Sequence, residues 1–236
     1  KIDIGEFWGE VTKYARENKV DPTLSYMLIL ENKMHEAGVE ISRENLINYG
    51  KQLKLFSGVD DWFGRIKKYG KENNIEIEHY IISSGLTNMI EGCSFYSQID
   101  RVYACEYIFK DARGLWPKLS VNYSNKVQYL YRIHKGAFEV NDQEGVNKKK
   151  YLGDHIHVPF ENMIFFGDGE TDVPTFNVLN KNNGKSICIY EDQDQKSIDI
   201  AKKLFSDGRV HHLVKNDYSE GSEVDNLVKE IIKSKT

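Results

Sequence analysis

Three acidic residues directly after an apolar run have the spacing to bind a cation. Asp168, Glu170 and Asp172 follow "MIFF" (163–166) in the stretch "NMIFFGDGETDVPTF". Acids this close repel one another, so we expect a positive group among them. Mg²⁺ fits, because it binds one or two carboxylates and completes its shell with water and phosphate oxygens. The spacing predicts that Asp168 is a direct metal ligand and that Asp172 binds the ion directly or through water.

Three other interpretations of this acidic turn compete with a magnesium site. A calcium-binding EF-hand loop that starts at Asp168 requires Gly at its sixth position and Glu at its twelfth, where the chain has Val173 and Leu179. A dinucleotide-binding GxGxxG loop has its third glycine replaced by Asp172, which would place an anion against a pyrophosphate. An Asx turn followed by a helix N-cap stays open, because acids are common in both.

Two further segments have the chemistry of a phosphate site. In "IISSG" (81–85), Ser83 and Ser84 end a β-rich run, and Gly85 lets backbone N–H groups approach an anion at the start of the next helix. Ser-Gly is also an ordinary way to begin a helix. Lys126 begins another predicted helix, where the positive end of the helix dipole disfavours a cation. A phosphate or an aspartate partner would explain that position, and a solvated lysine is the alternative.

The elements that must position these residues follow from the apolar periodicity and the capping residues. Helices are predicted over 6–15, 21–38, 42–53 and 61–73, with a loop at 57–62. A strand or hairpin is predicted over 100–114, and 142–150 is predicted to be an exposed loop. Strand and helix patterns alternate through the second part of the chain as far as a closing helix at 222–234. That alternation predicts a parallel sheet with helices on both faces.

The composition sets limits on the protein class and its partners. The 236 residues are 40% hydrophobic and 29% charged, which suits one large globular domain or a core with a smaller domain. A net charge of −4, with lysines and acids interspersed, disfavours nucleic acid and anionic membranes as partners. No apolar stretch approaches the ~20 residues of a membrane span. Three widely spaced cysteines without a CxxC pair predict cytosolic thiols and hence a cytoplasmic protein, whose oligomeric state is left open.

Ser83, Lys126 and "GDGETDVP", in that order and with helices ahead of them, resemble the haloacid dehalogenase-like hydrolase superfamily. The resemblance is closest to its phosphoserine-phosphatase-like branch with a helical (C1-type) cap, and "VPFENMIFFGDGETDVP" is similar to one bacterial group within it. It covers nearly the whole chain, and "GDGETD" is its most specific part. It implies an α/β fold with a doubly wound parallel sheet, a Rossmann-like core over 61–236, and an inserted α-helical cap over 5–60.

The resemblance also implies a role for each matching residue. Ser83 corresponds to the second-motif hydroxyl that binds the transferring phosphoryl group, and Lys126 to the third-motif cation that stabilises the nucleophile and the phosphate. Asp168 and Asp172 correspond to the fourth-motif acids that hold Mg²⁺. The implied function is that of a Mg²⁺-dependent phosphohydrolase, acting on a small phosphorylated metabolite through an aspartyl-phosphate intermediate.

The sequence departs from that family at its first motif. The family has a strand followed by DxD, whose first aspartate is the nucleophile and whose second is the general acid and base. Asp3 has neither a preceding apolar strand nor a second aspartate two positions on, and is expected near the entry to the cap. A doubly wound sheet requires a central strand there, so we expect the natural chain to extend upstream of Lys1 by roughly two dozen residues.

Two alternatives to a phosphohydrolase remain open on the sequence. The first is a catalytically inactive member of the same superfamily that binds a phosphoryl ligand. The second is a non-enzymatic helical interaction module built on residues 5–60, which would present a large exposed apolar patch.

Overall fold

A computed structural model describes residues 3–111, 113–147 and 156–235. Their contacts divide the chain into two compact units, each built from two stretches: 1–54 with 79–122, and 55–78 with 123–236. The fold is mixed α/β. The predicted division into a cap over 5–60 and a core over 61–236 stays a prediction.

The helices and strands occur along the chain as follows. The helices in the described part of the chain are α1 (Ile4–Asn18), α2 (Pro22–Glu36), α3 (Arg43–Gly50), α4 (Val59–Glu72), α5 (Thr87–Glu91), α6 (Lys126–Lys135), α7 (Gln143–Asn147), α8 (Val173–Lys181), α9 (Gln195–Ser206) and α10 (Glu223–Lys233). The strands there are β1 (Tyr80–Leu86), β2 (Arg101–Lys110), β3 (Arg113–Leu119), β4 (Ile164–Gly167), β5 (Lys185–Tyr190) and β6 (His212–Lys215). Single turns of 3₁₀ helix occur at Tyr96–Gln98, Phe160–Asn162 and Glu170–Asp172.

The helix starts predicted from capping residues are confirmed. The Asp21 carboxylate accepts hydrogen bonds from the backbone N–H groups at the start of α2, where Pro22 takes the first helical position. The Ser42 hydroxyl accepts the backbone N–H of Asn45 at the start of α3. Local side-chain hydrogen bonds of this kind are visible in the sequence because both partners lie within a few residues of each other.

The first unit contains a three-stranded sheet in the order β1-β2-β3. β1 runs parallel to β2, and β2 pairs antiparallel with β3, so the predicted hairpin is confirmed. In the same unit the backbones of α3 and α5 approach closely at two glycines. A Cβ atom at Gly50 would lie 1.9 Å from the carbonyl oxygen of Met89, and one at Gly92 would lie 2.2 Å from that of Ile47. This crossing therefore requires glycine at both positions.

The second unit contains a wholly parallel sheet in the order β4-β5-β6. Successive residues of a strand point to opposite faces, and in β5 Ile187 and Cys188 join different apolar clusters. The Ile187 face packs against α4 and α10 through Trp62, Ile66, Val224, Val228, Ile231 and Ile232. The Cys188 face packs against α8 and α9 through Phe176, Ala201 and Leu204. The prediction of parallel strands covered by helices on both faces is confirmed for this sheet.

Two predicted loops contain helices in the structure. The 57–62 loop is wrong beyond Gly58, because α4 begins at Val59. Gly58 has φ +76°, which lets the chain turn into the helix, and the acids of "VDDW" lie in its first turn, where the helix dipole favours negative charge. The 142–150 loop is wrong for Gln143–Asn147, which form α7, while 148–150 lie outside the described residues. The Asp142 carboxylate accepts the backbone N–H of Gly145 there.

A helix that crosses a bilayer must stay apolar over about 20 residues. None of the helices within 3–111, 113–147 and 156–235 is long and apolar enough to cross a membrane.

Candidate functional site

The acidic turn lies at the carboxyl end of a parallel strand. β4 ends at Gly167, which is in register with Cys188 of β5, and Asp168 follows at once. One turn of 3₁₀ helix, Glu170–Asp172, then leads into α8. The carboxyl ends of parallel strands are where open α/β sheets bind ligands. The position predicted for these acids, at a strand end and ahead of a helix, is therefore the position that the structure gives them.

Asp172 and Lys126 form a nearly buried ion pair. Lys126 Nζ lies 2.7 Å from Asp172 Oδ1, and the exposed fractions of the two side chains are 12% and 4%. The second oxygen, Asp172 Oδ2, accepts the backbone N–H of Asp168 at 3.2 Å. Asp172 occupies the N-cap position of α8, but its side chain forms no capping hydrogen bond there. The N-cap explanation is thus wrong for the Asp172 side chain, whose two oxygens face Lys126 and the start of the turn.

Lys126 is the first residue of α6, as the sequence predicts. The positive end of the helix dipole disfavours a cation at this position. The Asp172 carboxylate, which is paired with the Lys126 amino group, offsets that effect. Buried Tyr129, Leu130 and Ile133 hold the inner face of α6, and α6 packs against α8. Packing of the two helices therefore brings together side chains that lie far apart in the sequence.

Gly167 is required by the way the turn folds back on the strand. A Cβ atom at this position would lie 2.6 Å from Asp172 Oδ2 and 2.6 Å from Cζ of Phe176. Gly169, the second glycine of "GDG", has extended backbone angles, and a Cβ atom there would have no neighbour within 4 Å. The first glycine therefore admits the Asp172 carboxylate, whereas the second leaves open space beside Asp168.

Asp168 is exposed to solvent as a whole residue. Neighbouring protein atoms still remove part of its hydration, and this desolvation together with the negative charge of Asp172 raises the pKa of Asp168 above its ordinary value. The positive charge of Lys126 acts in the opposite direction. Solvent screening limits the size of the effect at an exposed group. One lysine beside two carboxylates leaves the cluster with an excess of negative charge.

Glu170, the third acid of the turn, does not belong to this cluster. Its side chain is 72% exposed and lies 3.9 Å from the exposed amino group of Lys203. An exposed pair at that distance contributes little. The structure therefore brings together two of the three acids with one lysine, and Glu170 serves as an internal comparison within the same turn.

The residues predicted to bind phosphate at "IISSG" belong to the first unit. Regular pairing of β1 with β2 ends at Ser83, and the register shifts between Ser83 and Leu86, so Ser84 and Gly85 form an irregularity inside β1. The Ser83 hydroxyl accepts the backbone N–H of Gly85 at 3.0 Å. α5 begins only at Thr87 and is five residues long. One residue, Leu86, separates Gly85 from the start of α5, because β1 continues through Leu86.

A magnesium ion fits the carboxylates of the second unit. No group of three or more His, Cys, Asp or Glu side chains in the described residues is arranged to hold a metal. Mg²⁺ does not need such a group, since it often takes one or two protein carboxylates and fills its octahedron with water and phosphate oxygens. Asp168 is an exposed residue at the strand end, whereas Asp172 is already paired with Lys126. Asp168 is accordingly the better direct ligand of the two.

Tyr218 is a neighbour of the acidic turn that the sequence analysis missed. Burial, and secondarily the charge of Asp168, raises the pKa of the Tyr218 phenol. The Tyr218 ring packs edge-on against Trp62. The Arg65 guanidinium donates a hydrogen bond of 2.6 Å to the main-chain carbonyl oxygen of Tyr218. Tyr218 lies in the loop after β6, at the same edge of the parallel sheet as Asp168. The position of Tyr218 after a predicted parallel strand could have indicated it in the sequence, because ligand-binding loops of parallel sheets follow the strands.

Comparisons with known proteins found a relative that is named as uncharacterised, and they identified no family for this chain. The chain is 27% identical to "Uncharacterized protein" from Borreliella burgdorferi (strain ATCC 35210 / DSM 4680 / CIP 102532 / B31), over an alignment of 260 residues that covers 98% of this chain and 87% of that protein. No protein-family model matches the chain, and no solved structure matches it. A function must therefore be inferred from the geometry of the described residues.

Proposed function

We propose that the protein is a Mg²⁺-dependent phosphohydrolase of the haloacid dehalogenase-like superfamily, acting on a small phosphorylated metabolite. The observation that carries the proposal is the Lys126–Asp172 ion pair at the carboxyl end of β4, beside the exposed Asp168 carboxylate. A cation held by one acid and adjoined by a second acid supplies both charges that a phosphoryl group and its metal require.

The finer fold belongs to the same proposal: a doubly wound parallel sheet with a Rossmann-like core and an inserted helical cap. It is supported by the parallel β4–β6 sheet with helices on both faces, and by the parallel pairing of β1 with β2. Among the described residues, β1 pairs only with β2 and β4 only with β5. Each strand thus has an edge at which a further strand can pair.

Each residue has a defined task in the proposed reaction. The Lys126 amino group, oriented by Asp172, stabilises the negative charge that develops on the phosphoryl oxygens. Asp168 holds the metal, and the Ser83 hydroxyl keeps the phosphoryl-binding role that the resemblance implies for it. Mg²⁺, when bound, offsets the remaining charge and orients the phosphoryl group. Asp172 acts by holding Lys126 in place, since Lys126 and the Asp168 N–H engage its two oxygens.

The nucleophile of the proposed reaction is an aspartate, as the aspartyl-phosphate mechanism of that superfamily implies. Its carboxylate oxygen forms a bond to phosphorus as the bond to the leaving alcohol breaks, which gives an aspartyl-phosphate. A second aspartate protonates the alcohol and then takes a proton from the water that hydrolyses the aspartyl-phosphate. The residues described above bind and stabilise the phosphoryl group in both steps.

Substitution of Asp168 tests the proposal. In the full-length protein, Asp168→Asn is expected to abolish Mg²⁺-dependent hydrolysis of 4-nitrophenyl phosphate and Mg²⁺ binding measured by calorimetry. Lys126→Met is expected to lower kcat by about 10²–10³-fold, the usual effect of removing one group that stabilises transition-state charge. Glu170→Gln removes an exposed acid from the same turn and is expected to leave both measurements unchanged. Full activity of Asp168→Asn would contradict the proposal.

A second candidate is a phosphoryl-ligand-binding protein without catalysis. It is favoured by the Lys126–Asp172 pair beside Asp168, whose charges suit the binding of a phosphoryl group whether or not an ester is then hydrolysed. It predicts that Mg²⁺ and phosphate bind, that Asp168→Asn weakens binding, and that no ester is hydrolysed by the wild-type full-length chain. Hydrolysis assays on that chain therefore separate the two candidates.

A further inference from the structure

We infer that a pocket in the first unit binds the organic part of the substrate, and that this part is a small aromatic group carrying a negative charge. The inference rests on the proposed function. The pocket has a volume of about 490 Å³, and its lining includes Trp8, Thr12, Arg16, Thr23, Tyr26 and Ser84. That volume is within the usual range for small-molecule sites, toward its lower end.

Ser84 connects the pocket to the predicted phosphate-binding segment. It lies directly after Ser83, in the irregular part of β1 where the register with β2 shifts. A phosphoryl group that accepts a hydrogen bond from the Ser83 hydroxyl therefore lies next to Ser84. Since Ser84 lines the pocket, the remainder of the ester extends toward α1 and α2.

Two aromatic rings give the pocket a flat apolar wall. Trp8 of α1 and Tyr26 of α2 stack with their centroids 5.4 Å apart and their planes at 28°. Phe7 packs edge-on against Tyr26, with centroids 6.2 Å apart, which fixes the orientation of that ring. Burial, and secondarily the Cys105 thiol, raises the pKa of Tyr26, so its phenol stays neutral at physiological pH. Such a wall suits a planar ring by offset stacking or edge-to-face contact.

The charge of the lining favours an anion over a cation. Arg16 lines the pocket, no Asp or Glu does, and Arg16 has no ion pair among the described residues. Arg16 also lies in the last turn of α1, where a cation is favourable by itself. The Arg16 charge supports an anionic ligand because Arg16 lines the same pocket as the aromatic wall and Ser84. A guanidinium recognises a carboxylate through paired hydrogen bonds.

A second depression on the first unit carries no such inference. It lies along one side of α1, lined by Trp8, Gly9, Thr12, Lys13, Arg16 and Glu17. A single helix provides all of its lining, and Glu17 offsets its positive charge. It is useful as a control, because Lys13 lines this depression and not the pocket that contains Ser84.

Calorimetric titration of the full chain in the presence of Mg²⁺ tests the inference. The probes are 4-carboxyphenyl phosphate, glycerol 3-phosphate, phosphocholine and inorganic phosphate. The aromatic acid is expected to bind about tenfold more tightly than glycerol 3-phosphate, since one charge-assisted hydrogen bond contributes about that much. Arg16→Gln and Trp8→Leu, both at exposed positions, are expected to remove this preference without changing the affinity for inorganic phosphate. Lys13→Gln is expected to change nothing.

The outcomes separate the pocket from the proposed function. Equal affinity for all three esters, or tighter binding of phosphocholine, overturns the inference about the pocket. Binding of inorganic phosphate in the same experiment still supports the proposed function. If neither Mg²⁺ nor inorganic phosphate binds, the proposed function fails, and benzoate, which has no phosphate, then tests the pocket alone. Benzoate binding that falls in Arg16→Gln and Trp8→Leu keeps the pocket as an aromatic-anion site. Benzoate binding that is absent, or unchanged in both variants, overturns the pocket as well.

Discussion

Lys126 Nζ lies 2.7 Å from Asp172 Oδ1, and both side chains are almost wholly withdrawn from solvent. Attraction between opposite charges is strong in such surroundings, and so is the cost of leaving either charge alone. The pair joins the first residue of α6 to the N-cap position of α8. It therefore acts both as a structural tie between two helices and as the organiser of the proposed phosphoryl site.

Removing one member of this pair is expected to lower the free energy of unfolding more than removing both. Lys126→Met leaves the Asp172 carboxylate buried and unneutralised, and should lower the free energy of unfolding by about 3–5 kcal/mol. Adding Asp172→Asn removes the stranded charge and should recover most of that loss. Urea unfolding of the two single variants and the double variant measures the coupling. Equal losses in Lys126→Met and the double variant would show that the unpaired Asp172 carboxylate carries no cost, and would contradict the prediction.

The two glycines of the "GDG" turn are expected to differ in their tolerance of a methyl group. Gly167→Ala places its Cβ against Asp172 and Phe176, and should destabilise the protein by about 2 kcal/mol as the turn is forced away from β4. Gly169→Ala has open space and an extended backbone, so its effect should stay within about 0.5 kcal/mol. Thermal unfolding of both variants makes the comparison. A larger loss in Gly169→Ala would contradict the packing described for Gly167.

Neutralising Asp168 is expected to stabilise the protein at neutral pH. The pKa of Asp168 is raised in the folded state from an ordinary value of 3.8, so ionisation of this group disfavours folding. The destabilisation is absent below pH 3.8 and develops as the pH rises through the folded-state pKa. Asp168→Asn should therefore be more stable than the wild type at neutral pH, with a difference that shrinks toward the ordinary pKa. Urea unfolding across this range, without Mg²⁺, measures the trend.

Glu170→Gln controls for the loss of one negative charge from the same turn, since its side chain is 72% exposed. The stability gained by Asp168→Asn over the wild type should shrink as the pH falls. A gain that grows instead would contradict the raised pKa of Asp168.

The buried Asp225 carboxylate is expected to stabilise the second unit above its ordinary pKa. Arg65 Nε lies 3.1 Å from Asp225 Oδ1, and Lys229 Nζ lies 2.7 Å from Oδ2, which also accepts the backbone N–H of Gly221. Burial alone raises the pKa of Asp225, but the hydrogen bonds from Lys229, Gly221 and Arg65 lower it overall from 3.8. Asp225→Asn should lower the free energy of unfolding by about 3 kcal/mol at neutral pH.

The sign of the pH dependence at Asp225 is opposite to that at Asp168. A lowered folded-state pKa gives stability that is present above pH 3.8 and is lost as the pH falls through the folded-state value. The cost of Asp225→Asn should therefore shrink in strong acid. Glu220→Gln, an exposed change in the neighbouring loop, is the matched control. An equal loss in both variants would show that the network around Asp225 contributes nothing specific.

The sequence predicted those features whose physical cause lies within a few residues. Asp21 and Ser42 cap their helices through hydrogen bonds to nearby N–H groups, and the apolar runs indicated β4, β5 and the hairpin. Lys126 was predictable in part, because its place at a helix start already called for a negative partner. The start of α4 was missed, since the acids after Gly58 suit a loop as well as the first turn of a helix.

Features that depend on tertiary packing could not be predicted in the same way. The identity of the Lys126 partner follows from how α6 packs on α8, and the lining of the pocket follows from how α1 and α2 meet Ser84. Arg16 has no distinguishing neighbours in the sequence, so nothing marked it before the pocket was known. The Asp172 side chain was open to a capping role, which its burial against Lys126 excludes.

The glycine crossing of α3 and α5 limits how the first unit can vary. Because the two backbones touch at Gly50 and Gly92, neither helix can slide or rotate on the other without a collision. α5 directly follows β1, so α3 moves together with the strand end that carries Ser83 and Ser84. Relatives that alter this region are thus expected to gain bulk only as a coordinated exchange on both helices, and insertions should accumulate in the connecting turns instead.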